Sequence, residues 1–405
     1  MHYIGGAWLI PELIKREREG RLKPRPDAGA AGAAASAPGT GGAHHEGGDW
    51  DPAGIKLVVG HTVLSHVTGT YLPATCGLGS TLPFAFLNRL MWRVGLGIAD
   101  KNLYRPLRAA TVERFGLDPP PPTWLENEQG KRPPTIYVYS SALVPRPRDW
   151  PAAAVVTGPL LGPDSRASPL GPAAAEQAEA AAQLPEGLRA YIAAAKRAGR
   201  PVVYVGLGSM LGAYFDNPPE ILKVLAEGVA QAQAGAGAGK GFAAVVHTVT
   251  GARGEHEAMP PPPEGSDLFW LDRPVPHSAL LPLVDLTVHH GGMGTTHAAA
   301  VAGRPAIIVP VSLASDQVFW ADIIRRRGAG VASPQHAGAL TAASFAQLLQ
   351  KALGALPVLA AAAARLAEGV RAEPDGVGAA VGALRRVMAG EAIGKGLPAP
   401  AQAAA

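Results

Sequence analysis

A chain of 405 residues that is 47% hydrophobic can hold two domains with a core each, and Gly 50 and Pro 39 leave room for unstructured inserts. The 36 Lys and Arg against 32 Asp and Glu give a net charge of only +4, with no basic stripe, so no nucleic-acid partner is expected. The single cysteine, Cys76, excludes an intrachain disulfide or a multi-cysteine zinc site and reads as a small buried residue of a cytoplasmic chain.

Met1–Gly20 lacks the basic and apolar regions of a signal peptide. No apolar run approaches the roughly 18 residues of a membrane-spanning helix, while peripheral membrane contact stays open. Residues 1–54 are low in complexity. Ala28–Gly48 is almost pure Ala, Gly, Ser, Pro and His, and is expected to be disordered because it has too little apolar surface to offset its ordering entropy. Within it, His44-His45 reads as part of a solvated tract rather than as a metal pair.

Residues 55–157 form a first folded region. Ile55–Val59 is a short β-branched strand ending at Gly60-His61. Thr81–Gly116 places Phe84, Leu87, Leu90, Met91 and Val94, then Leu103, Leu107, Val112 and Phe115, at helical spacing, which predicts one or two amphipathic helices. Pro119–Pro122 breaks the chain, and Thr135–Ser140 is a strand. Proline-rich stretches then put the domain boundary near Thr157–Leu161.

Residues 158–390 alternate strand and helix. Strands are expected at Pro201–Val205, Phe242–His247, Leu268–Leu271, Leu286–His289 and Ala306–Val309. A helix capped by Asn217 with Pro218 at its first position should follow the first of these. Further helices fit Thr296–Val301, Phe319–Arg327, Ala342–Leu353, Val358–Val370 and Val377–Met388. Repeated β-α units build a parallel sheet that binds ligands beyond the carboxyl ends of its strands. Residues 391–405 read as a disordered tail.

Four stretches could carry chemistry, and each has a plain structural reading beside it. Gly206–Ser209 follows a strand, so its glycines allow a phosphate to approach the backbone and Ser209 adds a hydroxyl; such turns are also common connectors. His289–Thr296 brings glycines, hydroxyls and imidazoles to a helix N-terminus, where backbone N–H groups and the helix dipole favour an anion. It could equally be a tight turn. Metal binding by His289 and His290 is disfavoured, since adjacent strand residues point to opposite sides. Asp316-Gln317 offers acceptors and donors suited to sugar hydroxyls, or else an N-cap beside a solvated amide. Asp272–His277 is a proline-stiffened loop that would make a rigid rim for a planar base.

Taken in order, these stretches resemble the UDP-glucose:sterol glucosyltransferases and the related antibiotic aglycone transferases, a family 28-like group of glycosyltransferases. That family runs Val-Tyr-Val-Gly-Phe-Gly-Ser, Val-Pro-His, His-His-Gly-Gly-Ala-Gly-Thr-Thr and Asp-Gln-x-Phe-Trp. Here the pattern stands as Val203–Ser209, Val275-Pro276-His277, His289–Thr296 and Asp316–Trp320. The resemblance implies an α/β, GT-B type fold of two Rossmann-like doubly wound domains. The C-terminal domain would be complete, and the N-terminal, acceptor-binding domain partial.

The resemblance further implies inverting transfer of a hexose, glucose above all, from a UDP-sugar to the hydroxyl of a sterol or other lipophilic acceptor, with no metal or other cofactor. The alternative is a truncated, catalytically silent UDP-sugar-binding protein. Ser209, His290, Gly292, Met293, Gly294 and Thr295 would hold the diphosphate, the backbone of Val275 the uracil edge, and Asp316 with Gln317 the glucose hydroxyls. The family's opening Gly-rich loop and its catalytic base have no counterpart here, and His61 and His66 match no catalytic motif. Met293 stands where the family has Ala, and the span from Pro310 to Asp316 is about two residues longer than the family's.

Overall fold

The computed structural model describes residues 59–61, 64, 66–74, 76–99, 101, 134–160, 182–235, 241–249, 259 and 261–393. The low-complexity readings of 1–54 and 394–405, the strand start at Ile55 and the second half of the 81–116 helical pattern lie outside these residues.

Two parallel sheets are present. The larger has six strands: β4 (Val202–Gly206), β5 (Ala243–His247), β6 (Leu268–Leu271), β7 (Leu286–His289), β8 (Ala306–Ile308) and β9 (Gly330–Ala332). Their spatial order is β6-β5-β4-β7-β8-β9. The chain therefore builds outward from β4 in one direction, returns, and builds outward in the other. Between β4 and β7 lies the topological switch point of a doubly wound sheet, where the strand ends open a crevice.

Helices cover both faces, which is why the central strands read as unbroken apolar runs. On one face Val203 and Val205 pack with Leu222, Leu225 and Val229 of α4 (Pro218–Ala234) and with Phe345 and Leu349 of α8 (Ala342–Gly354). On the other, Val202 and Tyr204 meet Leu188 and Ile192 of α2 (Glu186–Arg197) and Leu280 of α5 (His277–Leu280). Helices α3 (Met210–Tyr214), α6 (Met293–Val301), α7 (Gln317–Arg326) and α9 (Leu356–Arg371) complete the layers.

The five strands expected for this sheet all form, with ends shifted by at most a residue, whereas Thr135–Ser140 shortens to Thr135–Tyr137. Helix α6 begins at Met293 rather than Thr296, and α7 at Gln317 rather than Phe319, because each helix grows directly from the turn before it. Sequence reading missed α2, whose Leu188, Ile192 and Ala195 bury one face, and β9. The Asn217 cap needs correcting: its side chain makes no capping hydrogen bond, and Pro218 alone marks the start of α4. By contrast, Thr341 forms a reciprocal capping box with Ser344 at the head of α8.

The smaller sheet orders three short strands as β1 (Val59–His61), β2 (Thr135–Tyr137) and β3 (Ala154–Val156), all parallel. Its β3 was not expected from sequence. One face, with Ile136 and Val155, is covered by Ala383 and Val387 of α10 (Gly376–Met388) and by Ile393. Two sequence expectations change here. Helix α10 belongs by sequence to the 158–390 region but packs on the other one, and the third residue of the tail expected to be disordered, Ile393, is buried, its carbonyl accepting from Arg386 Nε.

The opposite face, with Tyr137 and Ala154, shares a core with Phe319 and Trp320 of α7. Helix α1 (Ala85–Ala99) joins the same core through Trp92. Polar contacts stitch the seam. Asp322 Oδ2 accepts from Ser80 N–H at 2.9 Å and from its hydroxyl at 2.6 Å, while Glu373 Oε1 accepts from the Ser141 hydroxyl at 2.6 Å and Ala142 N–H at 2.8 Å. Cys76 is half-buried rather than buried, and its thiol is pushed up by burial. Among the described residues no single helix is long and apolar enough to cross a membrane.

Candidate functional site

The carboxyl ends of β4 and β7 adjoin at the switch point, and two of the four sequence motifs sit there. Gly206 pairs with His289 across the sheet. A carbon added at Gly208 would lie 3.7 Å from the His290 ring, a measure of how closely the two turns approach. Ser209 precedes α3 with its side chain exposed and capping nothing, so its hydroxyl is uncommitted to the helix.

The turn after β7 depends on two glycines for different reasons. Gly291 has φ 90°, the left-handed region, and a side chain there would strike Ile308 Cγ2 at 2.6 Å. Gly292 has an ordinary backbone, but a methyl group on it would overlap the imidazole of His290. The ring therefore lies over bare backbone at the head of α6. No side chain caps that helix, so the N–H groups of Met293, Gly294 and Thr295 have no intrahelical acceptor. Such an end attracts an anion.

Side chains within the turn divide between ligand-facing and structural. Gly294 is exposed and Thr295 half-buried, whereas the Thr296 hydroxyl returns to Gly292 O at 2.9 Å and is spent on the helix. Met293 packs its side chain against the core shared with the small sheet, leaving only its backbone at the mouth. His289 is fully buried and accepts from Gly291 N–H at Nδ1, 3.1 Å, so it braces the turn from beneath.

Burial sets the charge state here. It drives His290 down to about 4, with the Leu207 backbone pulling the other way and His277 adding like-charge repulsion. His289 is driven down to about 3, again chiefly by burial, then by His290 and His277. Both rings are neutral at pH 7. The Nδ1 of His290 is buried without a hydrogen bond of normal geometry.

Beside this lies a group that the sequence did not single out. The Tyr204 hydroxyl is 2.9 Å from His247 Nδ1, and His247 Nε2 is 3.0 Å from Arg273 O. The carbonyl can only accept, so His247 donates from Nε2 and accepts the tyrosine proton at Nδ1. This satisfied pair supports the Asp272–His277 loop from below. Val275 in that loop packs its side chain on the core, and His277 stands edge-on to Tyr204 with ring centroids 6.2 Å apart.

The fourth motif, Asp316-Gln317, abuts the glycine turn: Gln317 O would lie 3.1 Å from a carbon added at Gly291. Its two residues differ in what they can still offer. Asp316 is half-buried, and its Oδ2 accepts the indole N–H of Trp320 at 3.2 Å, one turn along α7. Gln317 is buried, and its Oε1 accepts Val311 N–H at 2.7 Å. That amide braces the loop from Pro310, leaving its NH2 for any ligand. Among the described residues no three metal-ligating side chains converge. His66, from the small region, is buried against the Tyr137 hydroxyl, 2.5 Å from its Nδ1.

Residues 267–381 match the family described as the C-terminal domain of erythromycin biosynthesis protein CIII-like proteins. A sterol 3-beta-glucosyltransferase of Emericella nidulans is 29% identical over 311 residues, 76% of this chain and 19% of that protein. Another, of Leptosphaeria maculans, is 32% identical over 198 residues, 49% of this chain and 12% of that protein. Over these stretches the chain is similar to sterol glucosyltransferases. It spans less than a fifth of the length of these curated relatives. Among solved structures, the calicheamicin glycosyltransferase CalG4 aligns over 75% of this glycosyltransferase-like chain and 65% of its own, at 19% identity and a TM-score of 0.47.

Proposed function

We propose that the crevice between β4 and β7 holds the diphosphate of a UDP-sugar, and that the chain transfers a hexose, glucose above all, to the hydroxyl of a sterol or similar lipid with inversion. The observation that carries this reading is the uncapped head of α6 under the His290 ring, with the Gly208-Ser209 turn close beside that ring at the switch point. Those donors suit a leaving group. As the acceptor oxygen bonds to the anomeric carbon, the carbon–oxygen bond to the diphosphate breaks and UDP departs with the electron pair. The acceptor proton passes to a base. Preorganised N–H groups stabilise the charge that develops on the diphosphate. Val275 would border the uracil, and Asp316 with the Gln317 NH2 would meet the sugar hydroxyls.

A lipophilic acceptor fits a protein that touches lipid surfaces. Helix α1 exposes Phe86, Leu90, Val94 and Ile98 at four-residue spacing, next to exposed Arg89 and Arg93, and contains no acidic residue. That composition suits an interfacial helix. Flotation with anionic vesicles should carry wild type upward and leave Leu90→Asp/Val94→Asp behind.

The deciding experiment incubates the purified chain with UDP-glucose and a sterol panel and assays free UDP and glycosylated lipid. Calorimetry should give UDP binding that weakens about tenfold in His290→Ala, the loss of one hydrogen bond to a charged group. Absence of UDP binding by a folded sample would overturn the site. Binding without turnover would favour a silent sugar-nucleotide-binding protein instead.

A further inference from the structure

His297 lies outside the four motifs, yet it touches three parts of the molecule at once. It stands one helical turn after Met293 on α6 and is fully buried. Its Nδ1 is 2.7 Å from Met293 O, and its Nε2 is 3.0 Å from Ser140 N. The partners dictate the tautomer. A carbonyl only accepts and an amide N–H only donates, so Nδ1 carries the proton and Nε2 offers its lone pair. A protonated ring would set two N–H groups against each other at Ser140. Burial holds the ring neutral, down to about 4.

The ring also meets Trp320 edge-on, with centroids 5.1 Å apart and planes at 78°. Trp320 in turn donates its indole N–H to Asp316 and meets Tyr139, the residue before Ser140, at 6.2 Å and 70°. Other seam contacts, Asp322 with Ser80, Glu373 with Ser141 and Arg327 with Leu143 O, involve neither the glycine turn nor Asp316.

We propose that His297, packed on Trp320, is a positioning residue that sets both donor motifs, the α6 turn and Asp316, at a fixed offset from the end of β2 in the small sheet. This rests on the donor-site reading above. The Met293 peptide whose carbonyl His297 holds belongs to the same first turn that presents N–H groups to the diphosphate. The loop that His297 grips on the other side begins the mouth of the acceptor-side sheet. One imidazole with one permitted tautomer therefore registers the two halves where they must align for transfer. Near-attack geometry is sensitive to displacements of about 1 Å.

The test uses the full chain in two arms. In 15N-histidine-labelled wild type, long-range proton–nitrogen correlations should find His297 as the Nδ1–H tautomer, and saturating UDP should shift its ring nitrogens. An Nε2–H tautomer, or a ring indifferent to UDP that binds elsewhere on the same sample, overturns the proposal. In the second arm, His297→Phe keeps the aromatic packing and removes both hydrogen bonds. It should leave UDP affinity within about threefold and cut kcat for transfer at least tenfold, with His297→Gln restoring part of the loss. A folded His297→Phe that transfers at the wild-type rate, or one that loses only UDP affinity, overturns it. If wild type binds UDP but transfers nothing, the transfer reading fails while the tautomer and its response to UDP still decide this one. The same arm decides if the variants do not fold.

Discussion

In the six-stranded sheet every residue of β4 and β5 is buried between helices from the same stretch of chain, whereas the three-residue strands β1 to β3 lean on groups from elsewhere. The centre of the large sheet is covered by its own helices, and the turn after β7 leads into a helix whose first N–H groups have no intrahelical acceptor. The small sheet has one face closed by α10 and the other by α7, and its loops hang on Asp322, Glu373 and His297. The uncapped helix start thus sits in the sheet whose central strands its own helices cover, and the small sheet sits where packing comes from elsewhere, so its placement depends on seam contacts.

Acid gives the largest way to break this comparison. In the unfolded chain each imidazole takes a proton near pH 6.5. In the fold His247, His290 and His297 resist until about 4 and His289 until about 3. The unfolded state therefore binds more protons throughout that window. Stability is fully present above pH 6.5 and drains away as pH falls towards 4, by up to about 1.4 kcal/mol per pH unit for each ring. All four rings belong to the large sheet and its helices. Urea melts at pH 7 and pH 5 should differ by several kcal/mol, with the seam at Ser140 weakening as His297 takes its proton; equal stability at the two pH values would show that the rings do not resist protonation in the fold.

Asp322→Ala should act at the seam. It removes an acceptor shared by Ser80, Arg325 and Arg326 and should cost about 2–3 kcal/mol, the range for hydrogen bonds to a charged group. Limited proteolysis should cut the 66–99 region sooner while UDP affinity stays within about twofold, since the large sheet does not need this contact.

Gly291→Ala tests the converse. A left-handed non-glycine residue costs about 1–3 kcal/mol, and here the methyl also meets Ile308. UDP affinity should fall more than tenfold by calorimetry with the seam cleavage rate unchanged. The smallest effect separates two helix starts that look alike in sequence. Thr341→Ala should cost about 1 kcal/mol in a denaturant melt because it dismantles a capping box, whereas Asn217→Ala should stay within about 0.5 kcal/mol because no cap exists to lose.

Much of the six-stranded region is legible from the order of its residues. Fully buried parallel strands such as Val202–Gly206 write themselves as apolar runs, and the glycines of His289–Thr296 announce a turn that needs backbone freedom. Three-residue strands such as Ala154–Val156 and Gly330–Ala332 are too short to carry a period, and neither is visible in the sequence.

The sequence by itself determined the alternation of strands and helices, the position of the anion-seeking turn and the order of its neighbouring motifs, because these depend on local backbone preference and apolar period. Only the tertiary structure decided which way each side chain faces: Met293 into the core, Gln317 onto Val311, α10 back across the chain to the small sheet. It also gave His297 its three partners, which lie 4, 23 and 157 positions away along the chain. No local rule links such distances; packing does.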